Sequence, residues 1–329
     1  MKNKTFGGYF PLELPPFGTH YYPDARAYHS ARSALCHFLM TLRPSRLWLP
    51  HLICQSVIDA VIKSGIKISW YQLDEDYFPR LSQPFGSNDY LLYVDYLGHC
   101  REQKKRLLQT FPAQKIVFDH SQAFFENMQP ALANLYSPRK FFGIADGGLL
   151  DTSLDIPVPE VQDRSSLSHA THLLLQHEYD TRSGYCAFQQ AESALNDINI
   201  SRMSALSEKI LLSVDYLRVK QIRERNYRIL RQRLDEINTF HFTDNLVNGP
   251  FCYPLFYPAR ELRQELISQG VFVATYWSEV LQRVDPASVE ANYVSYMVPL
   301  PCDQRYSEED MEQLSDIVLS VVKEMNDET

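Results

Sequence analysis

Glycine is scarce in this chain, 12 of 329 residues, so few loops can bring bare backbone against a dinucleotide. No G-x-G-x-x-G run and no Walker lysine loop occurs, which counts against NAD or ATP as cofactor. A G-x-S-x-G elbow is also missing, and a Ser-His-Asp hydrolase is left without support. The six cysteines are scattered with no C-x-x-C pair, whereas a disulfide framework or a structural zinc site needs clustering. Cys36-His37 and His99-Cys100 are sequence neighbours, which rarely ligate one metal together, so no metal site is expected. The formal charge of −8 is spread along the chain with no basic stripe, which argues against a nucleic-acid partner. Long apolar runs are absent; residues 90–97 are strand-sized and carry a charge, so no membrane span is expected. Met1 to Phe10 has two lysines with no apolar stretch behind them, and Pro11, Pro15 and Pro16 follow. No secretory leader is expected, and the cytoplasm is the expected location.

What is present is the composition of a soluble globular protein, 45% hydrophobic, long enough for a large domain and a smaller one. Apolar spacing predicts helices over 30–43 and 54–63, the latter stopped by Gly65. Strands are predicted over 46–50, 66–73, 90–97, 115–119 and 131–136, with an amphipathic segment at 101–110 between two of them. Strands alternating with helices imply an α/β fold with a mostly parallel sheet, whose ligands gather at the carboxyl ends of the strands. Pro50, Gly98, Asp119 and Ser137 fall at such ends. Residues 153–200 are polar and irregular. A long helical pattern over 201–234 is expected to leave the large domain (1–205) and begin a smaller α+β domain (206–329). In that domain 253–257 and 271–274 read as strands, and 259–268 and 307–325 as helices. Ser307 opens the last helix, with Asp310 three residues on.

The run most charged with chemistry is Tyr136-Ser137-Pro138-Arg139-Lys140-Phe141-Phe142, followed by Asp146-Gly147-Gly148. About twenty residues upstream, Val117-Phe118-Asp119-His120-Ser121-Gln122 ends an apolar strand in an acid and a glutamine. A lysine amine able to form an imine, together with a carboxylate able to face a pyridine nitrogen, is what pyridoxal phosphate (PLP) requires. Gln122 suits the cofactor's ring oxygen, and the helix start Ser30-Ala31-Arg32-Ser33 suits its phosphate. Each residue also has a plainer reading: Lys140 as half of a solvated Lys-Arg pair, Asp119 as a turn residue bonding its own backbone, Ser30 as an ordinary helix cap.

On these residues the chain resembles the DegT/StrS family of PLP-dependent fold-type-I aminotransferases over nearly its whole length. Lys140 matches the family's cofactor-linking lysine, and Asp146-Gly147-Gly148 stands where the family has Glu-Gly-Gly. Asp119 and Gln122 match Asp-x-x-Gln/His. Ser30 to Leu35 matches Ser-Gly-Thr-Ala-Ala-Leu, with Ala31 and Arg32 in place of Gly-Thr. Pro50 to Cys54 matches Pro-x-x-Thr-aromatic, but Cys54 stands where an aromatic residue stacks on the ring; His51 is the nearby substitute. Ser137 precedes Lys140 by three residues where the family has five. Asn199-Ile200-Ser201-Arg202-Met203 is similar to Asn-Tyr-Arg-Met, whose Asn reaches the partner subunit's phosphate.

The resemblance implies a transaminase moving an amino group from an amino acid, glutamate, to a keto-sugar, typically nucleotide-linked. Lys140 and Asp119 would be catalytic, and Gln122, Ser137, Ala31, Arg32, Ser33, His51, Cys54 and Asn199 would bind PLP. A homodimer with shared sites is implied as well. The rival reading is a catalytically degenerate PLP-fold protein with a binding or assembly role, favoured by the altered phosphate loop and the lost aromatic.

Overall fold

The computed structural model describes residues 6–239 and 247–327, so the first residues, where a leader was sought, lie outside it. An eight-stranded sheet in the order β1-β8-β7-β6-β5-β2-β3-β4 forms the base of the molecule. Its strands are β1 (Arg26–Tyr28), β2 (Arg46–Pro50), β3 (Ile68–Leu73), β4 (Pro79–Leu81), β5 (Asp89–Val94), β6 (Ile116–His120), β7 (Ala133–Tyr136) and β8 (Gly148–Thr152). β3, β2, β5, β6 and β7 are mutually parallel, and β4, β8 and β1 join antiparallel at the flanks. The central strands are near-continuous apolar runs because both faces are covered. Leu47, Trp48, Leu91, Leu92, Val117 and Phe118 are fully buried. Asp89 fixes the β2/β5 register by accepting from Arg46 Nε and Trp48 Nε1, both at 3.0 Å.

Helices α1 (Ala31–Leu42), α2 (Gln55–Lys63) and α3 (Arg101–Thr110) connect these strands. The chain runs from β2 to β3 on one side and returns to β5 on the other. The crevice between the carboxyl ends of β2 and β5 is therefore the switch point where open α/β sheets bind ligands.

The predicted strand over 90–97 stops at Val94. Tyr96–Gly98 instead forms a tight 3-10 turn, with Leu97 at φ 57°. Residues 153–200 are largely helical: α4 (Ser166–His169), α5 (Thr171–Glu178) and α6 (Thr181–Ala194). The helical pattern over 201–234 divides into α7 (Ala205–Leu212) and α8 (Tyr216–Leu234). Asp215 caps the second by accepting from Arg218 N at 3.0 Å.

Beyond α8, β9 (Tyr253–Phe256), α9 (Leu262–Ser268), α10 (Val289–Tyr296), β10 (Met297–Leu300) and α11 (Glu308–Asp327) complete the chain. β9 and β10 pair antiparallel, and α8, α9 and α11 enclose a separate core with them around Leu230, Leu255, Leu266, Leu300 and Val318. Ser307 and Asp310 cap α11 reciprocally, at 3.2 and 2.8 Å, as expected. No strand forms over 271–274 among the described residues; Val271 and Val273 are buried, but no neighbouring strand pairs with them. Among the described residues no helix is long and apolar enough to cross a membrane.

Candidate active site

Three strand ends and two helix starts converge on one cleft. Ser30 caps α1, its Oγ accepting from Ser33 N at 3.2 Å; the bridge between Ser30 and Gly147 turns the Ala31 amide toward β8, and the Arg32 amide is left as an orphan donor of the first turn. This helix start is pressed against β8. A Cβ at Gly148 would lie 2.1 Å from Ala31 N, so only glycine fits there. The preceding Asp146 is fully buried and accepts from Ser204 N at 2.7 Å, from Ser204 Oγ at 2.6 Å and from Ser207 Oγ. The acid and glycine of Asp146-Gly147-Gly148 thus lock β8, the start of α1 and the start of α7 together.

Asp119 is the next-to-last residue of β6, in a buried position. Its Oδ1 accepts from Ser121 N at 2.9 Å, so the turn reading holds for one oxygen. Oδ2 has no hydrogen-bond partner among the described residues and lines the cleft with the rest of the side chain. Gln122 Oε1 accepts from Leu97 N at 3.4 Å, which leaves its Nε2 donors unused. Ser137 follows β7, and the turn Pro138–Lys140 brings Lys140 to the rim. Lys140 is exposed, and no hydrogen bond or ion pair engages its Nζ among the described residues. Its neighbour Arg139 is committed to Glu192 (Nη2 to Oε2 3.3 Å). Arg32 Nη1 reaches Leu195 O at 2.9 Å and Asn196 Oδ1 at 3.0 Å. Burial, reinforced by Arg139, lowers its pKa from the ordinary arginine value.

The structure therefore gathers Ala31, Arg32, Cys54, Asp119, Gln122, Ser137 and Lys140 around one cleft, with apolar walls from Ile53, Val94 and Leu135. Three expected residues are elsewhere. Ser33 is fully buried behind the helix start, because its position on α1 faces the core, and it bonds Ser30 Oγ at 2.9 Å. His51 stacks on Trp70 (5.3 Å, 17°) instead of facing the cleft. Asn199 lies on an exposed loop, its Nδ2 donating to Asp197 at 3.2 Å. Trp277 was missed: it lines the cleft from far along the chain, and nothing local in the sequence marks it.

Directly beneath lies a second set of charges. His120, next to Asp119, approaches Asp95 at 3.0 Å through Nδ1 and Asn134 at 3.2 Å through Nε2. Lys104 Nζ is ion-paired to Asp95 and, at 3.0 Å, to Glu126 Oε2, and Asn248 donates to the other Glu126 oxygen at 2.8 Å. Burial alone would raise the Asp95 carboxyl, but Lys104 and His120 outweigh it and hold it well below the usual range.

No protein-family model and no curated protein matches this chain. Solved structures do. PseC of Helicobacter pylori, an aminotransferase involved in pseudoaminic acid biosynthesis, is 13% identical with a TM-score of 0.64, covering 91% of this chain and 87% of that one. Spr1654 of Streptococcus pneumoniae in its PLP form is 15% identical, TM-score 0.64, covering 91% and 88%. A DegT DnrJ EryC1 StrS aminotransferase from Brucella abortus is 15% identical, TM-score 0.60, covering 90% and 85%. The chain shares their fold: the α/β, fold-type-I architecture expected from the sequence.

Proposed function

We propose that this chain is a PLP-dependent aminotransferase that moves an amino group from an amino acid, glutamate, to a keto-sugar carried on a nucleotide. The observation that carries the reading is an unpaired lysine amine sharing one cleft with a buried, half-free aspartate, at the carboxyl ends of adjacent parallel strands. The residues fit the cofactor. The orphan amide of Arg32 at the start of α1, with the hydroxyl of Ser137, would cradle the phosphate beside Ala31 and Gly147. Asp119 Oδ2, without a partner among the described residues, would face a pyridine nitrogen, and Gln122 Nε2 would serve a ring oxygen. The likeness in fold to sugar aminotransferases, one of them solved with PLP, supports the same reading.

When bound, PLP would supply an aldehyde for the donor's amine and an electron sink for the carbanion that follows. Lys140 Nζ would hold the cofactor, then carry the proton from the donor's Cα to the cofactor's C4′ carbon, and in the second half-reaction carry one from C4′ to the acceptor's carbon. Asp119 would keep the ring nitrogen protonated, and Ile53, Val94 and Leu135 would exclude water from the ring's edge.

The chain is read as a large domain over 1–205 and a small one over 206–329, acting as a cytoplasmic homodimer with shared sites. The outward-turned Asn199 and the exposed Tyr9, Phe10 and Phe17 support the dimer. Spectra of the purified protein before and after PLP, then glutamate, test the function. Borohydride should fix the cofactor to the peptide containing Lys140. Label on another lysine, or no uptake of PLP, would end this reading.

A further inference from the structure

Among the described residues lining the cleft, Trp277 alone comes from beyond Leu195. Its backbone is left-handed (φ 56°, ψ 38°), a conformation a bulky side chain keeps only when its surroundings enforce it. The enforcing contacts bracket Cys54. Glu279 accepts from Gln55 N at 3.0 Å, while Arg283 donates to His51 O at 3.2 Å and to Ile53 O. The segment that follows Trp277 is thus latched to the backbone on both sides of residue 54. The indole packs edge-on against Tyr96 (5.9 Å, 83°) and lies 5.7 Å from Tyr293. Cys54 is small, and its thiol turns to Ser56 Oγ at 3.0 Å, so the wall beside it is open to a ring delivered from elsewhere.

We propose that Trp277 supplies the aromatic face over the cofactor ring that Cys54 does not, delivered from the C-terminal part of the chain by the Glu279–Arg283 latch. This rests on the reading of the cleft as a PLP site. It makes cofactor retention depend on how the C-terminal part docks, because the ring-covering residue and the phosphate cradle belong to different parts of the fold.

The test measures PLP affinity by equilibrium dialysis and the visible circular dichroism of the bound cofactor. Trp277→Leu should weaken PLP binding about tenfold, the size of one lost aromatic contact, and reduce the visible band. Trp277→Phe should keep most of the affinity. Adding Cys54→Phe to Trp277→Leu should recover part of it, a rescue that a purely structural role for Trp277 would not show. A second measurement uses the milder variant alone. The chain has three tryptophans, and Trp277→Phe should remove the largest share of the emission quenching that PLP causes in the parent. Unchanged affinity and dichroism in Trp277→Leu, or unchanged fractional quenching in Trp277→Phe, would overturn the assignment while PLP still binds through Lys140. A parent protein that takes up no PLP overturns the site reading itself.

Discussion

Lys104 and Lys140 show how much a lysine's surroundings decide what it can do. Lys104 is almost wholly buried between Asp95 and Glu126, with His120 completing the group, and every charge there has an opposite within reach. Lys140 stands at the rim of a cleft with its amine unengaged, and Asp119, which lines the same cleft, keeps one oxygen free. The two sets lie back to back: Asp95 N donates to Asp119 O at 3.0 Å, so the paired cluster is the floor under the open one. A buried cation that is fully paired is fixed in one place and one protonation state, and it serves rigidity. An amine with no partner has nothing to release before it reacts. The contrast suggests that the molecule confines its ionic order to the floor so that the cleft above can stay unsatisfied.

Exchanging the properties of the two regions is the strongest way to break this comparison. Lys140→Ala should cut turnover on the order of 10⁴-fold while leaving urea unfolding unchanged within about 0.5 kcal/mol. A matching loss of stability would show that Lys140 is structural after all. Lys104→Met should do the reverse, costing about 3–5 kcal/mol of stability because Asp95 and Glu126 lose their cation in a dry setting. A loss under about 1 kcal/mol in urea titration would mean that the floor is not held by charge. Asp119→Asn lies between them, with turnover down on the order of 10²-fold and folding little altered; near-parental turnover would reduce Asp119 to its turn role.

Acid gives the mildest test. Asp95 binds its proton less readily in the folded than in the unfolded state. Its stabilisation is therefore complete above the unfolded carboxylate value, about pH 4, and is lost as pH falls toward the depressed folded value. Unfolding midpoints measured from pH 6 downward should decline below about pH 4, and Asp95→Asn should flatten that decline.

The elements that position the cleft were legible because their signals are local. Ser30 before an apolar helix, the continuous runs of β2 and β6, and the acid at the end of β6 can each be read without knowing what packs where. The misses have the opposite character. α5 has no buried residue and α6 buries only Gly184 and Ala191, so neither carries an apolar stripe to read. β1, β4 and β8 exist through their partners more than through any pattern of their own, two of them being three residues long. Residues 271–274 alternate buried and exposed as a strand would, with Phe272 57% exposed, yet strand pairing is a property of neighbours and none is there. In the site, Lys140, Asp119 and Gln122 were visible as residue types at strand ends. His51 was misplaced because Trp70 claims its ring, and Trp277 was invisible because its position depends on a contact spanning more than two hundred residues.

The joint at Asp146 and Gly148 carries a consequence for how the protein comes into being. The stretches around residues 30, 147 and 204 complete one another, and none is finished until all three have left the ribosome. A nascent chain ending at β8 can already set five strands in parallel order, but its Asp146 still lacks the serine donors of α7 that engage it in the complete fold. The scaffold therefore precedes the site during synthesis. The pocket matures as a late, long-range event, and any factor that inspects half-made chains meets a sheet whose business end has yet to close.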